Sequence, residues 1–428
     1  MLHALLIHQA FVSPKEAGGT RHFEFAQRWL RRGDRFTIVA STLSYLSGEN
    51  VGTTGGLVGR ESHDGLDVIR TYTMPTLHKS FVWRVGSFLS FTASSIVGAL
   101  RAQDVDVVMG TSPPIFQAAS AWAVAKLMNK PFLLEVRDLW PDFAVDMGVL
   151  TNPALIDAAQ KLEAFLYSEA DHIIVNSPAY QRILVDDKGV PSTKVSLIPN
   201  GVDPDMFDPQ HDGSAFRKEL GVDDDTFVVT YAGALGMAND IPTILRAADR
   251  LRDDKKVLFA LVGDGKERVN LEAQTQRMQL DNVVFTGSKK KDEMKTVLAG
   301  SDACVACLQD IPLFKTTYPN KVFDYMAAAR PTLLGIDGVI REVVDNADGG
   351  VAFPPGDDEG LADAVLALRA SPKRAKTMGE RARAYVEQHF NRHHQAEVFC
   401  QVLDAVARGM PVVLDDDNAR PPQLRVVS

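Results

Sequence analysis

Short, unbroken apolar runs recur along the whole chain, most of them followed by a stretch with helical spacing. The runs are ALLI (4–7), FTIVA (36–40), DVIR (67–70), DVVMG (106–110), FLLEV (132–136), HIIV (172–175) and VSLI (195–198). The second half adds FVVTY (227–231), VLFALV (257–262), VVF (283–285), ACVA (303–306) and TLL (332–334). Apolar runs without alternation suit strands buried on both faces, the condition of a parallel sheet. Parallel neighbours need crossovers, and helical stretches at 20–32, 114–128, 153–169, 240–252, 266–279, 339–345 and 358–370 supply them. The pattern predicts an α/β chain of doubly wound parallel sheets.

A chain of 428 residues exceeds one ordinary core and calls for two domains. The natural boundary is IPNGVDPDMFDPQHDGS, 198–214, where Pro, Gly and Asp punctuate two strand-and-helix series. The expected division is a Rossmann-like domain at 1–203, a second at 204–390, a closing helix at 391–408 packing back on the first domain, and a disordered tail at 409–428. Such sheets bind ligands at the carboxyl ends of their strands, and two of them facing across a cleft would share one site.

Charge excludes some functions and leaves one question open. A net charge of −9 argues against a nucleic-acid binder, yet residues 1–101 hold 11 Lys and Arg against 7 Asp and Glu. Three cysteines in this length fit a reducing compartment and no disulfide framework. The opening MLHALLIHQAF reads as a first strand, not a signal peptide. The most apolar stretch, 81–100, is broken by Arg84, two glycines and several serines, so it does not read as a membrane span. Two readings of it stay open: a core helix, or a patch that meets anionic lipid or a lipid-linked acceptor, with Trp83 in its first turn.

The chemistry-bearing residues cluster at strand ends. Gly18-Gly19 lie between the first strand and the helix TRHFEFAQRWLRR, where backbone N–H groups can meet an anion. Gly233 and Gly236, then Gly263 and Gly265 with Lys266 beside them, repeat that arrangement in the second half. Each is also what an ordinary tight βα turn looks like. The segment LFKTTYPNKVFDYMAAARP (313–331) presents Lys315, Tyr318 and Lys321, with Asp324 expected in the first turn of the following helix. Asp324 reads either as a ribose-binding carboxylate or as a dipole-complementing surface residue. EVRDLWPD (135–142) ends a strand with Glu135, Arg137 and Asp138, either a catalytic group with neighbours or an internal Arg–Asp pair. His22 and Glu24 follow the Gly-Gly loop as weaker acceptor-side candidates, equally compatible with a surface helix.

Other motifs are discounted. Cys304-x-x-Cys307 lacks a second pair and sits in an apolar run, so core packing explains it. Asp104-Val105-Asp106 and Asp203-Pro204-Asp205 imitate a metal-binding D-x-D in the wrong places, and no metal is expected. Lys289–Lys291 reads as charge balance on an exposed helix start, and His393-His394 as a solvated face.

Taken in order, GGTRHFEFAQRWLRRGDRFTIVAS, EVRDLWPD, NSPAY, IPNGVD, YAGALG, VGDG, YPNKVFDYMAAARP and GGVAFPPGD resemble glycosyltransferase family 4, of the GT-B fold. The likeness covers about residues 1–408 and is nearest to the bacterial cell-surface polysaccharide branch that includes fucosamine transferases of O-antigen synthesis. The resemblance implies a nucleotide sugar, UDP-linked in the first instance, held by the C-terminal domain through Gly233, Gly236, Gly263, Gly265, Lys266, Lys315, Tyr318, Lys321 and Asp324, with Gly18 and Gly19 of the N-terminal domain as further donor-binding residues. It implies a glycan or polyprenyl-diphosphate-linked acceptor at the N-terminal domain, with Asp138, Arg137 and Glu135 at the reacting centre and His22, Glu24 and Trp83 on the acceptor side. Transfer with retention and without a required cofactor is the expected reaction, in a cytoplasmic protein at the inner face of the plasma membrane. Three departures stand out. Thr316 occupies the place of the first acid of the family's E-x7-E pattern, and Ala234 and Asn239 fall near the places of its basic pair. Ala329 replaces a usual glycine. These leave room for a nucleotide-sugar epimerase or hydrolase, or for a non-catalytic nucleotide-sugar binder.

Overall fold

The computed structural model describes residues 1–13, 16, 18–44, 50, 56–76 and 81–414, with Phe81 and Val82 described by backbone alone. Most of the expected tail, 415–428, lies outside the described residues. The described chain forms two units, one of Met1–Ser13, Gly19–Pro199 and the chain from His393, the other of Asn200–Arg392 with Glu16 and Gly18.

The first unit is built on strands β1 (His3–Ile7), β2 (Arg35–Ser41), β3 (Val58–His63), β4 (Leu66–Thr71), β5 (Val107–Ser112), β6 (Phe132–Val136), β7 (His172–Val175) and β8 (Val195–Leu197). Their spatial order is β3-β4-β2-β1-β5-β6-β7-β8. Every neighbouring pair is parallel except β3–β4, which is antiparallel. That edge hairpin corrects the all-parallel expectation. It turns at Asp64-Gly65, with φ of +51° and +82°, the left-handed pair that a two-residue hairpin loop demands.

Strands β9 (Phe227–Ala232), β10 (Val257–Val262), β11 (Val283–Gly287), β12 (Ala303–Cys307), β13 (Thr332–Gly335) and β14 (Gly350–Ala352) form the second sheet. Its order, β11-β10-β9-β12-β13-β14, is parallel throughout. The order reverses between β9 and β12, and a doubly wound sheet opens its ligand crevice at that switch point. The residues of β9, β10 and β12 are wholly buried, which explains the unalternating apolar runs. Cys304 and Cys307 are free and buried within β12, with burial pushing both thiols up, so they are packing residues.

The amphipathic stretch near 375–408 is two helices, Pro372–His389 and Arg392–Ala407. Between them Val202 pairs with Asn391, receiving the Arg392 amide at 2.8 Å and donating to Phe390 at 3.0 Å. The two ends of the second unit's main segment, Asn200–Arg392, are thereby tied to each other. Beyond this knot, Ala396, Val398, Phe399, Val402, Leu403 and Val406 join the first unit's core, with the Phe399 ring 4.6 Å from Phe25.

Candidate functional site

In the second unit the two glycine turns interlock at the carboxyl ends of β9 and β10. Gly233 donates to the Val262 carbonyl, Gly263 to Gly287 and Leu235 to Asp264, each at 2.9 Å. Gly233 and Gly263 have φ of +154° and +149°, and a Cβ on Gly263 would sit 1.8 Å from the Gly233 oxygen. Gly265 has a different reason to be glycine: its Cβ would lie 2.5 Å from the Leu235 oxygen. Gly236 is ordinary extended backbone at φ −119°. Side-chain-free backbone thus lines this rim where a phosphate would approach.

Lys321 reaches the same rim from helix Asn320–Ala327. Its ammonium donates to the Tyr231 hydroxyl and to Asn239 Oδ1, both at 2.7 Å, and Tyr231 in turn donates to the Ala234 carbonyl. Both acceptors are uncharged. Burial pulls the amine down to about 7. A Cβ at Gly233 would meet this nitrogen at 3.0 Å, so lysine and glycine turn are neighbours. Lys321 therefore brings its amine to Asn239, near the place of the missing basic pair.

The helix begins at Asn320, so Lys321, not Asp324, occupies its first turn; Asp324 lies one turn further on. Asp324 accepts from Lys291 at 2.7 Å. Lys291 is only 14% exposed and lies 5.3 Å above the Phe207 ring, which corrects the reading of 289–291 as an exposed basic run. Lys289 likewise pairs with Glu219 at 2.6 Å. Tyr318 is buried, its ring 5.6 Å from Phe323 and 5.8 Å from Phe390, so it is a core residue and not an open ligand contact. Lys266 is exposed, and Lys315 is exposed beside Asp310 at 3.4 Å.

The first unit gathers its polar groups at the carboxyl ends of β1, β5 and β6. Glu135 is fully buried, its two oxygens taken by Arg21 Nε at 3.0 Å and His22 Nε2 at 2.5 Å. Burial pushes this carboxyl up, but His22, Arg21 and Arg137 together hold it well below the usual range. Glu135 therefore stands behind the site and acts only through its partners. His22 is buried, not on a helix surface; burial lowers its pKa and Glu135 opposes that. Arg21 also donates to the Pro199 and Ile198 carbonyls at 2.8 and 2.7 Å, fixing the strand end before the unit boundary.

Asp138, just past β6, is half-buried, and burial pushes its carboxyl up to about 6 against the pull of Arg137 and of the Tyr180 hydroxyl at 3.5 Å. Its ionisation falls near neutrality, as a proton-handling group requires. Arg137 does not form the internal pair with it. Its guanidinium donates to Thr111 Oγ1 at 2.8 Å and to the Pro113 carbonyl at 3.2 Å. Glu24 is half-buried and accepts from Thr20 at 2.5 Å; Trp83 is 52% exposed. Gly18 has φ +142°, and Gly19 lies just before helix Arg21–Arg31.

Sequence reasoning missed His8. It is 3% exposed directly after β1, edge-on to His22 at 4.4 Å, with neither ring nitrogen hydrogen-bonded among the described residues. Burial and the neighbouring His22 and Arg137 keep it neutral. Its position one residue beyond a strand end was the available signal. Arg21 and Tyr180 were missed within motifs already quoted, GGTRHFEF and NSPAY.

Two sheets of this order, each with polar groups at its strand ends, define the twin-Rossmann class. The family description "Glycosyl transferase 4-like domain" matches residues 17–201 and "Glycosyl transferases group 1" matches 212–385. The chain belongs to glycosyltransferase family 4, with the GT-B fold. It is similar to the putative colanic acid biosynthesis glycosyl transferase WcaI of Escherichia coli (strain K12), 28% identical over 56% of this chain and 60% of that protein. Curated relatives are matched over about half to two thirds of their own length. Among solved structures, sucrose-phosphate synthase from Thermosynechococcus elongatus superposes with a TM-score of 0.72 at 19% identity, covering 96% of this chain and 100% of that one. Anabaena Alr3699/HepE, in complex with UDP and glucose, gives 0.72 at 17% identity, covering 95% and 100%.

Proposed function

We propose that the protein transfers a sugar from a nucleoside diphosphate sugar, UDP-linked in the first instance, to a hydroxyl of a glycan or polyprenyl-linked glycan. The observation that carries the reading is the rim of interlocked Gly233 and Gly263 turns with the Lys321 amine beside it. It offers a close approach to side-chain-free backbone and one cation where negative charge grows on a leaving diphosphate. Family membership and a neighbour solved with UDP and glucose support the donor class; the likeness to WcaI supports a role in surface polysaccharide synthesis. Asp138 is assigned to position the acceptor hydroxyl or the transferred sugar. Transfer proceeds with retention, a donor phosphate oxygen taking the acceptor proton, and without a resident metal. Asp324 holds the ribose, sharing its carboxylate with Lys291.

No helix among the described residues is long and apolar enough to cross a membrane. The acceptor is assigned to the cytoplasmic membrane surface through helix Phe81–Ala99, where Trp83, just before Arg84, and Leu89 and Val97, within a run without charge from Val85 to Leu100, are each about half exposed. The test is a panel of nucleotide sugars, each with and without polyprenyl-linked acceptors, read by mass. Sugar transfer insensitive to EDTA is expected. Consumption of the donor without acceptor would make the protein a hydrolase or epimerase, and UDP binding without turnover of any pair a binder.

A further inference from the structure

The positive charge of residues 1–101 has a destination that this function does not use. Several arginines of that segment are spent internally: Arg21 on Glu135, Arg70 on Glu61 at 2.6 Å, and Arg28 and Arg32 on Glu397 and Asp404 of the closing helix. Arg35, Arg60 and Arg101 are not spent in this way. They line one cavity of about 150 Å³ at the amino-terminal edge of the first sheet, the edge opposite Glu135 and Asp138. Arg35 opens β2, Arg60 lies in β3, and Arg101 follows helix Phe81–Ala99.

The cavity floor is fixed. His3, at the start of β1, is tied to the Gln103 carbonyl and to Thr37 Oγ1, both at 2.8 Å, and burial pulls its pKa down. Arg60 gives one N–H to the Arg101 carbonyl at 2.7 Å, joining the edge hairpin to the segment after the helix. Neither Arg60 nor Arg101 forms an ion pair among the described residues, and Arg35 pairs only with the 89% exposed Asp104, at 3.9 Å, among the described residues. Of the lining acids, Glu61 is taken by Arg70 and His63. Asp67 is the only lining carboxylate left without an ion pair among the described residues. Three guanidinium groups around one concavity repel one another, and an anion with several oxygens relieves that repulsion through forked hydrogen bonds.

We propose that this pocket binds a phosphate-bearing ligand, at a second site on the sheet edge opposite the one assigned to sugar transfer. The probe is inorganic pyrophosphate, titrated calorimetrically into the full chain with UDP present in excess so that the donor rim is filled. One equivalent is expected to bind, and Arg60→Ala/Arg101→Ala is expected to weaken it at least about tenfold while leaving UDP affinity unchanged. Both side chains are exposed, so the variant should fold; Arg35→Ala gives an independent second reading. Flotation with phosphatidic acid vesicles identifies the source of the phosphate. Flotation lost in the double variant and competed by pyrophosphate assigns the pocket to a lipid head group. Pyrophosphate binding lost with flotation unchanged assigns it to a free phosphate compound. Equal pyrophosphate affinity in variant and parent, or no binding of either probe, overturns the proposal.

Discussion

Lys321 is a cation whose charge depends on its ligand. Held by Tyr231 and Asn239 at 2.7 Å, with burial lowering its pKa to about 7, it is partly neutral near pH 7.5 in the free protein. A bound diphosphate stabilises the ammonium form, so binding takes up a proton. The sign follows: UDP affinity is highest below pH 7 and falls as pH rises through the lysine's own pKa, by up to about tenfold per unit. Calorimetry of UDP binding from pH 6 to 9, in buffers of different ionisation enthalpy, measures both the slope and the proton. In Lys321→Met both should vanish; a pH slope that persists there removes Lys321 from the phosphate site. The same amine bears on folding in the opposite sense. Its lowered pKa means that the unfolded chain binds more protons, so its desolvation cost is felt at neutral pH and below and disappears as pH approaches 10.5. Ala329 is a second residue with a cost. At φ +54° it sits where an L side chain is strained by about 1–2 kcal/mol. Ala329→Gly should stabilise the second unit by about 0.5–1 kcal/mol once the entropy of the added glycine is subtracted. Denaturant unfolding followed by circular dichroism decides it, and an unchanged midpoint would show that the surrounding backbone relaxes the strain.

Among the elements, the glycine turns separate two roles that look identical in sequence. Gly263→Ala places a Cβ 1.8 Å from the Gly233 oxygen and forces a φ of +149° on an L residue. We expect a loss of about 2–4 kcal/mol and of UDP binding. Gly236→Ala, at φ −119° with its nearest neighbour atom 4.0 Å away, should leave stability and UDP affinity unchanged. Urea unfolding and UDP titration of the two variants side by side test the distinction; equal behaviour would dissolve the interlock. Nothing in YAGALG or VGDG tells which glycine is conformational and which is incidental, because that depends on one turn meeting the other across about thirty residues of sequence. The strands were legible for the opposite reason. FLLEV and HIIV coincide with β6 and β7 because burial on both faces writes itself as an unbroken apolar run. The edge hairpin was legible and overlooked: VGRESH is polar, but the Asp64-Gly65 turn that closes it is a short-range signal. At the site, Lys321 and Asp138 stood out by motif. The Glu135–His22–Arg21 cluster and the Lys291–Asp324 pair did not, since partners 33 to 114 positions apart leave no mark on local spacing.

At the scale of the whole molecule, chain order and folding unit part company. Helix Arg392–Ala407 comes last, after the second unit is complete, yet Ala396, Val398, Phe399, Val402, Leu403 and Val406 belong to the core around Leu6, Phe25, Trp29 and Met109. Removing the helix exposes that core. At about 1.5–3 kcal/mol for each large side chain stripped of its cover, and with Arg28 and Arg32 losing Glu397 and Asp404 as well, the loss rivals a domain's entire stability of about 5–15 kcal/mol. The second unit has a core of its own, with Val229, Tyr231, Ile244, Phe259, Val305 and Leu333 fully buried, and needs nothing from the first sheet to complete it. Two fragments then behave differently. Residues 200–392 alone should unfold in a single cooperative transition and keep the UDP affinity of the full chain, because the glycine rim, Lys321 and Asp324 all lie within it. Residues 1–199 alone should lack a cooperative transition and bind a hydrophobic dye, and regain order when a peptide of residues 390–414 is added. Differential scanning calorimetry with and without the peptide reads both. A cooperatively folded 1–199 fragment would show that the closing helix is a covering on an already sufficient core. A 200–392 fragment that folds but has lost UDP would move part of the donor site out of the second unit.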